Sequence, residues 1–238
     1  MANIVVCHGA WGGSWAWRRM RAPLRAKGHE LFAPTYTGLG DRFRFLNPSV
    51  GLSTHIEDVV ATIFHEDLTE VILVGHSYGG LVATGVADRE PGRIAAMIYL
   101  DAFVPDDGQC GLDFQSAEER ESVREIVKVH GAGWLVPPSP LAPDIPPDQA
   151  EWLRARRMPQ PLRTFEEPIR LTGAAAHLPR SYIYCTQKGP DDVFRAIAAR
   201  CKSDRAWHCR EIDSGHTPNA SAPDRLADLI DELIAAGR

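Results

Sequence analysis

The run Gly75-His76-Ser77-Tyr78-Gly79 places one serine between two glycines, each two residues away. It follows the apolar stretch Val71-Ile72-Leu73-Val74 and precedes the small, apolar stretch Leu81-Val82-Ala83-Thr84-Gly85-Val86-Ala87. A buried strand, a sharp turn and a helix in that order would hold the Ser77 hydroxyl above a sheet edge, where an attacking oxygen is useful. The turn is strained, and bulk at either glycine would meet the neighbouring strand or helix. The five-residue pattern also arises by chance in plain Ser-Gly turns. The strand before it and the helix after it set this one apart.

A serine alcohol is a poor nucleophile until a base takes its proton, and the base must be oriented by a carboxylate. His216 suits the base, because it lies in Asp213-Ser214-Gly215-His216-Thr217-Pro218 between the strand-like Trp207-Ile212 and a terminal helix. His76, beside the serine, reads as pocket wall. His55 and His65 fall on a helix-like stretch, His29 reads as surface, and His130, His177 and His208 have no partner that sequence can name.

The acid is harder to place. After Ser181-Cys185 the chain reads Thr186-Gln187-Lys188-Gly189-Pro190-Asp191-Asp192, so Lys188 stands where a carboxylate is expected. Asp191 and Asp192 read as the first turn of the next helix, a sufficient dipole role. Asp101 ends the strand-like Ala95-Leu100, and catalytic groups gather at such strand ends in open α/β sheets. A buried Asp also needs a partner, which His216 would be. Asp101 is therefore preferred as the acid, with Asp191 or Asp192, or no true acid, left open. The oxyanion that forms on attack needs backbone N–H donors, assigned to Tyr78 and to Ala10 in His8-Gly9-Ala10-Trp11-Gly12-Gly13. A phosphate-binding reading of that loop fails, since it has neither G-x-G-x-x-G nor the Lys-Ser/Thr of a P-loop.

The elements that must position these groups alternate. Strand-like segments are Ile4-Cys7, Glu30-Ala33, Val71-Val74, Ala95-Leu100, Ser181-Cys185 and Trp207-Ile212. Helix-like segments are Ser14-Lys27, with Ser14 as N-cap, Thr54-His65, capped near Ser53, the stretch after Ser77, Asp191-Cys201 and Pro223-Ala236. Short apolar strands alternating with helices imply a parallel sheet covered on both faces. From 105 to 178 the pattern breaks into Pro-, Glu- and Arg-rich sequence, with helix-like pieces around 116–130 and 148–157 and the large apolar residues Phe114, Trp134, Leu135, Trp152, Met158 and Phe165. The expectation is an α/β core of residues 1–104 and 179–238 with a helical cap at 105–178.

The 238 residues are 44% hydrophobic and 24% charged, with a net charge of −5. That is ordinary globular composition, with no basic stripe for nucleic acid or anionic membrane. No apolar run approaches the roughly 20 residues of a membrane span, and the N-terminal strand lacks the features of a signal peptide, so a cytoplasmic location is expected. Five cysteines, none in C-x-x-C spacing, argue against disulfides and metal sites.

Together these residues resemble the α/β-hydrolase superfamily, and within it the small esterases grouped with plant methylesterases, hydroxynitrile lyases and bacterial EstC-like or pyrethroid-hydrolase-like carboxylesterases. The resemblance runs nearly end to end. It rests on His8-Gly9-Ala10 with Trp15 and Trp17, Thr37-Gly-Leu-Gly-Asp-Arg42, Leu52-Ser-Thr-His-Ile-Glu-Asp-Val59, Gly75-His-Ser-Tyr-Gly-Gly80, Tyr99-Leu-Asp-Ala-Phe-Val-Pro105 and Gly215-His216. It implies a mostly parallel six-stranded sheet with helices on both faces and a helical cap after the sixth strand of that fold. It also implies Ser77 as nucleophile, His216 as base, Ala10 and Tyr78 as oxyanion donors, and chemistry without metal or organic cofactor. The lyase branch carries a Lys beside the catalytic His and a Thr in the first oxyanion loop. Thr217 and Gly9 stand there instead, which argues against cyanohydrin cleavage.

The expected function is hydrolysis of a carboxylic ester, a hydrophobic or aromatic ester or a lactone, through an acyl-enzyme on Ser77. Trp11, His76, Phe103, Trp134 and Trp152 are the candidate substrate-binding walls. The partner is a small molecule, and a homodimer is compatible with the chain. Two rivals use the same fold: a lyase or cofactor-free oxygenase in which the same groups shuttle protons, and a small-molecule receptor with vestigial hydrolysis.

Overall fold

The computed structural model describes residues 1–189 and 192–237. Six strands form one wholly parallel sheet: β1 (Asn3–Cys7), β2 (Glu30–Phe32), β3 (Val71–His76), β4 (Ile94–Leu100), β7 (Arg180–Cys185) and β8 (Trp207–Ile212). Their order is β2-β1-β3-β4-β7-β8, so the winding direction reverses between β1 and β3. Ligand sites in open α/β sheets form at such a reversal, beyond the carboxyl ends of the strands.

The strands alternate with period two between two cores. Val5, Cys7, Leu73, Met97, Tyr99 and Tyr182 face one side, with α2 (Leu52–His65), α3 (Gly79–Arg89) and α7 (Val193–Ser203) packed over them. Ile4, Val6, Ile72, Val74, Ile98, Leu100, Ile183 and Cys185 face the other, under α1 (Arg21–Ala26) and α9 (Pro223–Ala236). Cys7 and Cys185 serve as small apolar residues, and burial pushes both thiols up.

Two expected helix starts differ from the structure. Ser14–Met20 is a 3-10 helix that leads into α1, and Ser14 caps nothing with its side chain; its backbone N–H donates to Thr35 Oγ1 at 3.0 Å. Pro23, which lacks an N–H, falls in the first turn of α1, where no intrahelical partner is needed. Helix α2 begins after Gly51, whose N–H donates to Thr54 Oγ1 at 3.3 Å, while Ser53 Oγ is taken up by Glu167 at 2.8 Å. Asp58 of α2 accepts from Thr37 N–H (2.6 Å) and Thr37 Oγ1 (2.9 Å) and pairs with Arg42 (3.0 Å), tying the 37–42 loop to the helix.

Between β4 and β7 the chain forms a single 3-10 turn at Gly111–Phe114 and the helices α4 (Ala117–His130), α5 (Pro147–Arg154) and α6 (Arg163–Glu166); the short helix α8 (Pro218–Ser221) follows β8. The segment also contains an antiparallel ribbon of β5 (Leu135–Val136) and β6 (Gln160–Pro161), which helical periodicity had no means of showing because each strand is two residues long. Among the described residues no helix is long and apolar enough to cross a membrane.

Candidate active site

Strand β3 ends at His76, and Ser77 follows at φ +55°, a left-handed conformation that a non-glycine residue holds only when its surroundings impose it. The surroundings are the flanking glycines. A Cβ on Gly75 would stand 2.8 Å from Gly79 O, and one on Gly79 would run into the carbonyls of Cys7 and His8. Asp101, the first residue after β4, is also left-handed at φ +43°, as is Trp11 at φ +60° in the loop after β1. Three turns that leave adjacent parallel strands thus aim their residues at one place.

His216 occupies the loop between β8 and α8. Its Nδ1 lies 2.6 Å from Asp101 Oδ2. The ring stacks on Phe194 of α7, with centroids 4.9 Å apart and planes 12° apart, and its backbone carbonyl accepts from His76 Nε2 at 2.7 Å. His76 is buried and neutral; burial, and the neighbouring His216, push its pKa down to about 3. Asp101 is fully buried. Its Oδ1 accepts from Cys185 N–H at 3.2 Å, and Lys188 Nζ lies 2.6 and 2.8 Å from its two oxygens. Burial alone pushes the Asp101 carboxyl up, but the hydrogen bond and charge of His216 and the charge of Lys188 outweigh it and hold the carboxyl below its ordinary value.

Lys188 therefore stands beside a carboxylate rather than in place of one. It also reaches Asp192 Oδ2 at 2.8 Å. Asp192 caps α7, accepting from Phe194 N–H at 3.1 Å and from Tyr184 OH at 2.9 Å, and His216 is not among its partners. Asp191 lies outside the described residues.

Ser77 and His216 line one cavity of about 290 Å³ together with His8, Ala10, Trp11, His76 and Arg157. The backbone N–H groups of Ala10 and Tyr78 donate to no protein acceptor among the described residues. The next N–H along, that of Trp11, is already committed to Gln160 Oε1 at 2.9 Å. Gln160 is fully buried, and its amide nitrogen donates to Thr164 Oγ1 at 2.7 Å. Tyr78 is held from behind: its OH donates to His55 Nδ1 at 2.8 Å, and His55 Nε2 donates to Thr37 O at 3.2 Å. Burial pushes His55 down to about 3 and His8 down to about 4.

Of the expected walls, Trp11 and His76 line the cavity. Phe103, Trp134 and Trp152 are not among its lining residues. Phe103 packs on Phe114 and Phe194, with centroids 4.8 and 5.0 Å away. Trp152 is clamped between the guanidinium groups of Arg18 (3.8 Å) and Arg156 (4.1 Å) and meets Trp15 edge-on. The Trp134 carbonyl accepts from Leu162 N–H at 2.8 Å, tying the ribbon to α6. Sequence reading missed Gln160, Arg157, Phe194 and Asp144. The last accepts from Gly215 N–H at 2.7 Å and Ser214 Oγ at 3.1 Å and so fastens the His216 loop to the segment between β4 and β7. None of the four carries a local motif; each acts across a long sequence separation.

Comparison with known proteins agrees with this architecture. The profile of the Alpha/beta hydrolase family matches residues 4–229. A carbendazim hydrolyzing esterase from Nocardioides sp. is 37% identical over 242 residues, covering 98% of this chain and 100% of that protein. Methylesterase 10 of Arabidopsis thaliana is 34% identical over 106 residues, 43% of this chain and 38% of that protein. An extracellular alpha/beta-hydrolase from a Paenibacillus species superposes with a TM-score of 0.87 at 25% identity, covering 98% of each chain. A pyrethroid hydrolase from Sphingobium faniae superposes with a TM-score of 0.79 at 23% identity over 99% of this chain and 98% of that one. With its parallel sheet, its strained serine turn and a family match across nearly its whole length, this chain belongs to the alpha/beta hydrolase family.

Proposed function

We propose that the protein is a serine hydrolase that cleaves a carboxylic ester of a small molecule. The observation that carries this reading is the 2.6 Å contact of His216 Nδ1 with buried Asp101, on a cavity that Ser77 shares. Asp101 accepts the Nδ1 proton, which leaves His216 Nε2 as the basic atom. Ser77 Oγ attacks the ester carbonyl carbon and its proton passes to Nε2. The oxyanion is met by the Ala10 and Tyr78 N–H groups, which have no protein acceptor to give up. Collapse expels the alcohol, which takes the proton from Nε2. Water then attacks the acyl-enzyme, again losing its proton to Nε2, and the acid leaves with Ser77 regenerated.

The names of the relatives support ester cleavage as the chemistry. Lys188 stands where an acid is expected, yet His216 does not lack one. Lys188 contacts Asp101, and the pair of Asp101 with His216 coexists with that contact. Residues 105–178 serve as the cap, with Asp144 and Gln160 as its fastenings to the core. Five free thiols fit a cytoplasmic enzyme.

Mass spectrometry of the intact protein after a fluorophosphonate probe tests the reading. One adduct, absent from Ser77→Ala, is expected, with ester turnover lowered by about 10⁴-fold or more in that variant. A folded protein that takes no adduct would overturn it.

A further inference from the structure

Arg157 is the only Arg, Lys, Asp or Glu in the lining of the catalytic cavity among the described residues. Its guanidinium lies 5.2 Å from the centroid of the Trp11 ring. Its hydrogen bonds run to Ser139, one to the backbone carbonyl and one to Oγ at 3.4 Å, and both acceptors are uncharged. No carboxylate among the described residues pairs with it, whereas Arg42, Arg89, Arg93, Arg120, Arg124, Arg200 and Arg210 each have one. Burial pushes its pKa down to about 10, so the side chain is still a cation at neutral pH and is partly stripped of water. Three of the guanidinium's five N–H donors remain without a protein acceptor among the described residues.

A partly desolvated cation with spare donors, set over an aromatic face in a pocket whose lining offers no carboxylate among the described residues, is expensive to keep unless something pairs with it. The chain's net charge of −5 supplies no general attraction for anions, so selectivity for one would have to be local. A planar guanidinium fork matches a carboxylate through two parallel hydrogen bonds. We propose that Arg157 is a specificity-determining residue that receives a carboxylate, so that the substrate is an ester which also carries an anionic group. This deepens the hydrolase reading and rests on it for the word ester, though the anion subsite itself does not.

Equilibrium binding of phenylacetate and its neutral isostere phenylacetamide, by isothermal titration calorimetry, tests the subsite without catalysis. The native protein is expected to bind the carboxylate at least about tenfold more tightly than the amide. Arg157→Met should abolish that preference while amide affinity stays within about threefold, and Arg157→Lys should keep part of it. Equal binding of the two ligands, no measurable binding of the carboxylate, or a preference that survives Arg157→Met, as an anion held by the Ala10 and Tyr78 amides would show, each overturns the proposal. In turnover, Arg157→Met should lower kcat/KM for mono(4-nitrophenyl) adipate by about 10- to 100-fold and for 4-nitrophenyl hexanoate by less than about threefold. Equal losses on both esters would mark Arg157 as merely structural. An intact anion preference in a protein that hydrolyses neither ester would strike the hydrolase reading and leave the subsite standing.

Discussion

Ser77 and Trp11 line the cavity and Asp101 meets His216 beside it, from turns that leave β3, β1 and β4, and all three residues hold a left-handed φ. Arg157, Gln160 and Asp144 act on the site from the segment between β4 and β7: Arg157 lines the cavity, Gln160 on β6 holds the Trp11 N–H, and Asp144 holds the His216 loop. The first set is aimed by backbone geometry that the parallel ladder and close-packed glycines enforce, so each residue has one place to be. The second is held by side-chain hydrogen bonds across long sequence separations, Asp144 to Gly215 and Ser214 and Gln160 to Trp11. Placement by the sheet suits groups that must meet reacting atoms within tenths of an ångström. Placement by side chains suits binding, where one contact can change while the rest of the site stays as it is.

The contrast can be broken most directly at the acid. Asp101→Asn should lower kcat at neutral pH by about 10³- to 10⁴-fold, because the imidazole loses the acceptor that fixes its tautomer. Asp192→Asn, which keeps an oxygen to cap α7 but removes the charge facing Lys188, should stay within about tenfold. Steady-state kinetics on one neutral ester compares them, and similar losses would remove the distinction between Asp101 and Asp192.

Acid should act on the strand-end side of the molecule. His8, His55 and His76 are buried and take up a proton in the folded state only near pH 4, 3 and 3, against 6.5 when unfolded. Unfolding therefore takes up protons between those limits. Their contribution is fully present at neutral pH and is lost as pH falls below about 6.5, by up to about 4 kcal/mol per pH unit for three groups. Asp101, whose carboxyl is held below its usual 3.8, adds a further loss at still lower pH. Urea unfolding at pH 7, 6 and 5 should show the fall, and a flat profile would contradict the burial of these rings.

Gln160→Leu should lower kcat/KM about tenfold, since the Trp11 N–H loses its acceptor and the loop bearing Ala10 loosens. An unchanged rate would mean that the loop is held by its own turn and not from across the cavity. The smallest effect is expected at Trp152. Trp152→Phe should alter ester turnover by less than about threefold, because that ring packs between two arginines outside the cavity lining.

Much of the core was legible because its signals are local. Period-two apolar runs marked the strands, and the pattern around Ser77 needs only five consecutive residues and their flanks. Ser14 and Ser53 misled as caps because a backbone N–H or side chain with a distant partner, Thr35 or Glu167, left no trace nearby. Among the bulky residues of 105–178, hydrophobic content marked a folded segment but had no way to distinguish a cavity wall from packing. Trp134 and Trp152 show this, as does Phe103 at the segment's entrance.

The sequence by itself determined the order of the elements, the turn that carries Ser77 and the loop that carries His216, since each depends on side-chain alternation, glycine spacing and flanking periodicity within a few residues. Tertiary structure decided which carboxylate meets His216, that Lys188 accompanies it, that Trp11 is fastened by Gln160 and that Arg157 enters the cavity without a carboxylate partner among the described residues. Those hydrogen bonds join residues 87 to 149 positions apart. They exist only once the parallel strands set their turns side by side, and burial then makes the pairing of each charge and each hydrogen-bonding group matter.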